Sequence, residues 1–235
     1  MATQSGTAIQ LGRASIVAIP GVEIQLRSRP LYAAFKRAID TAGALVLLLL
    51  LAPVFLLVAL AIVVDSGWPV LYRGERIGRG ARMFQCVKFR TMRADADPGI
   101  HAEYLRALMR GQAGASNGLF KVPRDPRVTS VGAFLRRSSL DELPQLWNVL
   151  RGEMSLIGPR PEVAYALDHY EPWMYRRFEV LPGMTGLWQV SGRGRIGPRE
   201  MLRLDVEYAD RCDLGLDLEI LARTIPAVLQ GTGAG

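Results

Sequence analysis

The sequence predicts a mixed α+β protein, mainly helical around a small sheet, with one helical segment embedded in a membrane. Three observations carry this. Residues 41–64, TAGALVLLLLLAPVFLLVALAIVV, contain no charged side chain. Residues 69–92 alternate apolar and polar positions around a glycine-rich turn, the pattern of two strands. The remaining apolar residues recur mostly at three- and four-residue steps, the period of half-buried helices.

The elements are justified in chain order. Residues 1–30 are small and polar apart from SIVAIPG, and are read as a mobile tail with one strand. The uncharged run, as a helix, would be roughly 36 Å long, enough for a bilayer. It begins too late and is too long for a cleaved signal peptide. Pro53 lies in its middle, has no N–H to give, and crowds the preceding turn, so the run should break there into halves of ~12 residues. Arg27, Arg29, Lys36 and Arg37 precede it, and Arg73, Arg76, Arg79 and Arg82 follow it. Both flanks thus favour the same side of a membrane. A re-entrant hairpin satisfies both; a kinked spanning helix is the alternative these residues leave open.

Trp68-Pro69 marks the exit. In the second strand, Lys88 and Arg90 alternate with Val87 and Phe89 and share a face. They would grip a pyrophosphate or form a solvated face. Residues 102–110 form a short helix, QAGASNG a loop, and FKVPRDPRVTSVG an extended stretch. Residues 138–152 form a helix, LIGPRPE a proline-locked turn, and 163–180 a further helix. Residues 181–197 are glycine-rich with Arg193 and Arg195. Residues 199–211 are helical and carry Asp205 and Tyr208. The mostly apolar stretch 214–229 is read as a helix packed on the core.

The net charge of +7 favours anionic partners. Few aromatics, and no arginine-aromatic alternation of the kind that stacks bases, argue against nucleic acid. Cys86 and Cys212 stand far apart, which excludes a disulfide framework and a structural zinc site. His101 and His169 are too few for a histidine-based metal site.

The chemistry concentrates in SSLDELPQLWNVLRG, residues 138–152, where Asp141 and Glu142 follow Arg136 and Arg137. One reading is capping: Ser139 and Glu142 match a capping box, or Asp141 is itself the N-cap with Pro144 in the first turn. Capping explains one acid and leaves the second, set beside arginines, unexplained. The other reading is nucleophilic. An ionised carboxylate at a helix start, with Arg136, Arg137 and Arg160 neutralising phosphates, could attack phosphorus. Glu142 would share a divalent cation with the pyrophosphate.

KFRTM (88–92), DPRVTSVGAFLRRSSLDELPQLWNVLRGEMSLIGPRPE (125–162) and LPGMTGLWQVSGRG (181–194) together resemble the bacterial sugar transferases. More narrowly, they resemble the small monotopic polyprenyl-phosphate phosphoglycosyl transferases that begin exopolysaccharide or glycoconjugate assembly. The resemblance covers roughly residues 31–232. It implies transfer of a phospho-sugar from a UDP-sugar to undecaprenyl phosphate, with release of UMP. It implies a covalent intermediate on Asp141, supported by Glu142 and Mg²⁺ held by that dyad. It implies phosphate contacts from Lys88, Arg90 and Arg160, and a nucleotide contact from Arg193 and its loop. Asp205 is added to the phosphate-binding set.

The same resemblance implies a membrane-embedded re-entrant helix over 31–67, broken at Pro53. A cytosolic catalytic domain would follow over 68–235, on the cytoplasmic face of the bacterial inner membrane. Ala52-Pro53 stands where the family often has Ser-Pro, so no hydroxyl bonds a freed carbonyl there. The chain would lack the large N-terminal membrane domain of bigger members. The lipid bilayer and, in oligomeric form, a homodimer are further expected partners. The sugar is expected to be a plain hexose.

Two other readings predict differently. A metal-dependent glycosyltransferase using Asp95 and Asp97 would release UDP. A membrane-anchored basic scaffold would tolerate loss of the dyad.

Overall fold

The structure is a computed structural model, and it describes residues 8–11, 14–17, 24–26, 29–93, 96, 99–100, 103–104, 125–192 and 196–229. Strands β1 (Ala8–Leu11) and β2 (Ala14–Val17) pair antiparallel, so the N-terminal region holds two strands where one was expected. Helix α1 (Pro30–Leu50) starts on a proline whose missing N–H has no partner at that position anyway. Helix α2 (Ala52–Ser66) follows after Leu51, and the two axes meet at 61°. Neither helix alone is long and apolar enough to cross a membrane; the bent pair passes that test together.

The break falls at Leu51, not at the proline, and the pieces are 21 and 15 residues long instead of equal halves. The reason is local. Pro53 fits the first turn of a helix, where its ring clashes with nothing, so the chain breaks just before it and α2 begins afresh.

α1 is fastened to the rest of the protein along its polar first half. Arg29 Nη1 donates to the Cys212 carbonyl (2.6 Å), Tyr32 and Lys36 both donate to Asp217 (2.9 Å each), and Asp40 accepts from the Leu156 N–H (3.0 Å).

Strands β3 (Leu71–Ile77) and β4 (Met83–Phe89) form the expected antiparallel hairpin, with Tyr72 opposite Lys88. Helix α3 (Ser130–Ser138) begins inside the stretch read as extended, because the Thr129 side chain accepts the Gly132 N–H and caps it. Residues 138–152 are not one helix. Ser139 takes a left-handed conformation (φ 58°), Leu140–Glu142 form a 3-10 turn, and helix α4 spans Gln145–Arg151. The 3.6-residue period survives because the turn and α4 wind in the same sense. The capping box fails because a left-handed Ser139 does not present its hydroxyl to the following N–H groups. Arg37 of α1 closes the other end of α4, donating to the Val149 and Leu150 carbonyls (2.5 and 2.7 Å).

Strand β5 (Ser155–Ile157) pairs in parallel with β6 (Gly183–Thr185). The region 163–180 is two 3-10 segments, Ala164–His169 and Pro172–Glu179, not an α-helix; Pro172 forces an extended residue before it. Short helix α5 (Leu187–Ser191) precedes α6 (Pro198–Arg211) and α7 (Leu214–Leu229). α7 buries Ile220 as expected, but Leu218 and Ile225 are exposed on its other side.

The core gathers in contiguous clusters. Ala44 of α1 packs with Leu146 and Val149 of α4, Met154 and Cys86. Val58 and Ile62 of α2 pack with Phe89 and Leu135. Ile157, Tyr208, Cys212 and Ile220 form a third. Cys86 and Cys212 are buried free thiols, in line with the absence of a disulfide framework.

Gly183 shows how tightly the parallel pair is built: a Cβ there would fall on the Gly158 nitrogen and the Ile157 carbonyl carbon. Both obstacles are backbone and cannot rotate away. Gly183→Ala should therefore destabilise the fold by ~1–3 kcal/mol. Chemical denaturation measures this; an unchanged midpoint would show that the backbones can separate freely.

Candidate active site

The dyad sits on the 3-10 turn between α3 and α4, facing β4 and the Pro159-Arg160-Pro161 turn. Glu142 accepts from Lys88 Nζ (2.8 Å) through Oε1, and from the Arg160 guanidinium through both oxygens (2.5 and 3.2 Å). Burial would raise its carboxyl, but Arg160 and Lys88 together outweigh that and hold it well below the usual carboxylate range. In return, the Glu142 charge raises Arg160 further above its ordinary value.

Asp141 is buried, only 8% exposed, and lies in the electrostatic field of both Arg136 and Arg160. Arg136 Nε donates to the Thr91 hydroxyl (2.9 Å), which fixes its planar head. Burial lowers Arg136 from its usual value, and Asp141 and Asp125 oppose that shift. Lys88, Arg136 and Arg160 thus set three cations against two carboxylates, a local excess of positive charge suited to an incoming polyanion.

The structure brings Lys88, Arg136, Asp141, Glu142 and Arg160 together. Arg137 lies nearby but is exposed at the end of α3. Arg90 does not join them. Its guanidinium is buried and donates to the carbonyls of Ser66 (2.8 Å), Gly67 (2.5 Å) and Trp68 (2.9 Å) and to the Ser66 hydroxyl (2.9 Å). It caps the C-terminus of α2, because the orphan carbonyls there, unlike water-exposed ones, need a buried donor. Asp205 is likewise turned away from the dyad, its Oδ2 paired with Arg177 Nη2 at 2.6 Å. Arg193, Asp95 and Asp97 lie outside the described residues.

Sequence reasoning missed Thr91 and Arg177. KFRTM contains the first, but its hydroxyl role appears only once α3 is packed beside it. Arg177 belongs to no motif in the sequence.

The donor set narrows the expected metal site. Among the described residues no three His, Cys, Asp or Glu side chains come together as a cation cage. Glu142 Oε2 carries one hydrogen bond, from Arg160 at 3.2 Å, and each carboxylate oxygen has two lone pairs, so Glu142 keeps a free acceptor position for a cation shared with a substrate. Asp141 fits one place in a coordination shell completed by substrate phosphates, the usual manner for Mg²⁺.

Burial pushes the Asp205 carboxyl up to about 7, against the pull of Arg177. The folded protein therefore binds this proton more tightly than the unfolded chain, where the pKa is about 3.9. Its stabilising contribution is full below that value and is lost as pH rises through 7, by at most about 1.4 kcal/mol per pH unit. Asp205→Asn removes this slope. The melting temperature of the variant minus that of the parent should rise between pH 5 and pH 8. A difference constant across that range would refute the raised carboxyl.

A basic site around a buried carboxylate dyad, carried on elements packed against a bent apolar helix pair, is one suited to an anionic substrate. The family described as bacterial sugar transferase matches residues 31–231, and the chain belongs to it. It is 41% identical to the exopolysaccharide production protein ExoY of Rhizobium meliloti, over 88% of this chain and 90% of that one. It is 40% identical to the UDP-glucose:undecaprenyl-phosphate glucose-1-phosphate transferase of Caulobacter vibrioides, over 90% of this chain and 73% of that one. It is 43% identical to the UDP-galactose-lipid carrier transferase of Erwinia amylovora, over 85% of this chain but 41% of that one. The chain thus spans about two-fifths of the Erwinia protein and nine-tenths of the Rhizobium one.

Proposed function

We propose that this protein transfers a phospho-hexose from a UDP-hexose to undecaprenyl phosphate, releasing UMP, as the opening step of an exopolysaccharide or glycoconjugate. The observation that carries the reading is the division of labour in the dyad. Glu142 holds Lys88 and Arg160, while its neighbour Asp141 sits buried between Arg136 and Arg160. The names of two relatives supply the donor class, UDP-glucose and UDP-galactose.

The residues act as follows. Lys88, Arg136 and Arg160 receive the pyrophosphate and lower the repulsion between it and the Asp141 carboxylate. A carboxylate oxygen of Asp141 forms a bond to the sugar-bearing phosphorus. The bond from that phosphorus to the bridging oxygen breaks, and UMP departs with the electron pair. An oxygen of the lipid phosphate then attacks the same phosphorus, and Asp141 leaves as a carboxylate. One phosphate site serves both halves. Mg²⁺, held by Asp141 and the phosphates, would neutralise charge on the departing UMP.

The acceptor is a membrane lipid, and the shape of the protein supports a membrane-embedded hairpin. Leu45, Leu49 and Leu50 of α1 and Leu56, Leu57 and Leu60 of α2 are exposed. The start of α1 is tied to Asp217 and the end of α2 to Arg90, so both ends of the hairpin are bound to one folded body. That favours entry and exit on the same, cytoplasmic side over a crossing. The apolar ridge of α7, Leu218, Leu221 and Ile225, would rest on the same surface.

The test is the leaving product. Full-length protein in undecaprenyl-phosphate nanodiscs, given UDP-glucose or UDP-galactose, should release UMP. Release of UDP would overturn the proposal and favour direct glycosyl transfer.

A further inference from the structure

Behind the Pro159-Arg160-Pro161 turn lies a second charged cluster, largely buried. Its hub is Arg177, whose side chain is 3% exposed. Nη1 donates to Glu162 Oε2 (2.7 Å) and to the Tyr170 hydroxyl (2.5 Å). Nη2 donates to Asp205 Oδ2 (2.6 Å) and to the backbone carbonyl of Arg160 (2.7 Å). The Tyr170 hydroxyl in turn donates to Glu162 Oε2 (2.8 Å).

The last Arg177 bond is the informative one. The Glu162 carboxylate already balances the guanidinium and Asp205 supplies a further acceptor, so the Arg160 carbonyl is not needed for charge. The turn is pinned on either side as well: the Pro159 carbonyl accepts from the Gly183 N–H (2.8 Å), and Ile77 N–H donates to the Glu162 carbonyl (2.7 Å). Between those pins, Arg177 holds the Arg160–Pro161 peptide unit. Rotation of that unit would swing the Arg160 side chain, whose fork grips Glu142 and whose charge acts on Asp141. The planar fork serves four separated acceptors from two nitrogens; a lysine at this place has three donors on one compact nitrogen and does not span them all.

We infer that Arg177 is a positioning residue: it fixes the Arg160 peptide and thereby aims the Arg160 guanidinium at the Asp141-Glu142 dyad. Asp205 and Glu162 serve to orient Arg177 and do not touch substrate. This rests on the transferase reading for its kinetic consequence, but its structural consequence stands apart from it.

Two double-mutant cycles on the full-length protein in nanodiscs test the inference. In the first, UMP release from UDP-glucose and UDP-galactose is measured for Arg177→Lys, Arg160→Ala and the pair. Arg177→Lys alone should lower kcat roughly 50-fold, yet by no more than ~3-fold once Arg160 is already gone. Equal losses in both backgrounds would overturn the inference. In the second, melting temperature is read for Arg177→Lys, Glu142→Gln and the pair. The drop caused by Glu142→Gln should shrink by at least half when Arg177 is lysine, because Arg160 is then no longer held on Glu142. An undiminished drop would overturn the inference even if no UMP were released. Absence of UMP from the parent protein would by contrast overturn only the transferase reading. If Arg177→Lys fails to fold, Tyr170→Phe replaces it in both cycles with smaller losses and the same required coupling.

Discussion

Asp141→Asn should abolish turnover, by roughly 10⁴-fold or more, as expected for removal of a covalent nucleophile. The amide has nearly the same shape, so it fits the 3-10 turn between α3 and α4. It lacks the charge that makes an oxygen attack phosphorus. Membrane association should persist, since the exposed leucines of α1 and α2 lie on other elements. Mass spectrometry of the parent protein, mixed with UDP-hexose and no lipid acceptor, should find a phospho-hexose on Asp141. Near-normal turnover in the variant, or a rapid quench that yields only unmodified protein, would remove Asp141 from the role of nucleophile.

Glu142→Gln should be the most damaging change to stability. It removes the charge that holds Lys88 and Arg160 and leaves two cations facing one another in a partly buried place. Breaking one partner of such a pair costs ~3–5 kcal/mol when the pair is buried. The lower part of that range is expected here, because Lys88 and Arg160 are each partly open to solvent. The loss should be measured by chemical denaturation at pH 7. It should fade as pH falls, since the parent carboxylate contributes only while it is ionised. Its folded pKa is depressed, so the parent keeps its advantage above the ordinary carboxylate range and gives it up in strong acid. A variant as stable as the parent at pH 7 would show that Glu142 is not the keystone of the cluster.

The contrast between Lys88 and Arg90 shows how far a pattern of alternation reaches. Both lie at the end of one hairpin, and the period of two places them on one face. Lys88 points to the dyad, as a site residue would. Arg90 lies just beyond the last strand residue and meets the end of α2, whose unpaired carbonyls take its donors. Nothing in residues 83–90 encodes the arrival of α2; the contact exists because the apolar run folds back. The same limit applies to Asp205, which a helical period places correctly on α6 but whose partner is contributed by residue 177. In both cases a charged side chain was legible as important, while its partner depended on distant segments.

What the sequence determined by itself was local and covalent in origin. Pro53 lacks an N–H and so breaks the apolar run, the glycine turn closes the hairpin, and Asp141 and Glu142 are neighbours whatever the fold. Their chemical inequality was decided only by tertiary structure. Lys88 and Arg160, brought from distant segments, grip Glu142 directly, while Asp141 lies buried in the field of Arg136 and Arg160, and the cost of burying charge makes those surroundings set the difference between the two acids.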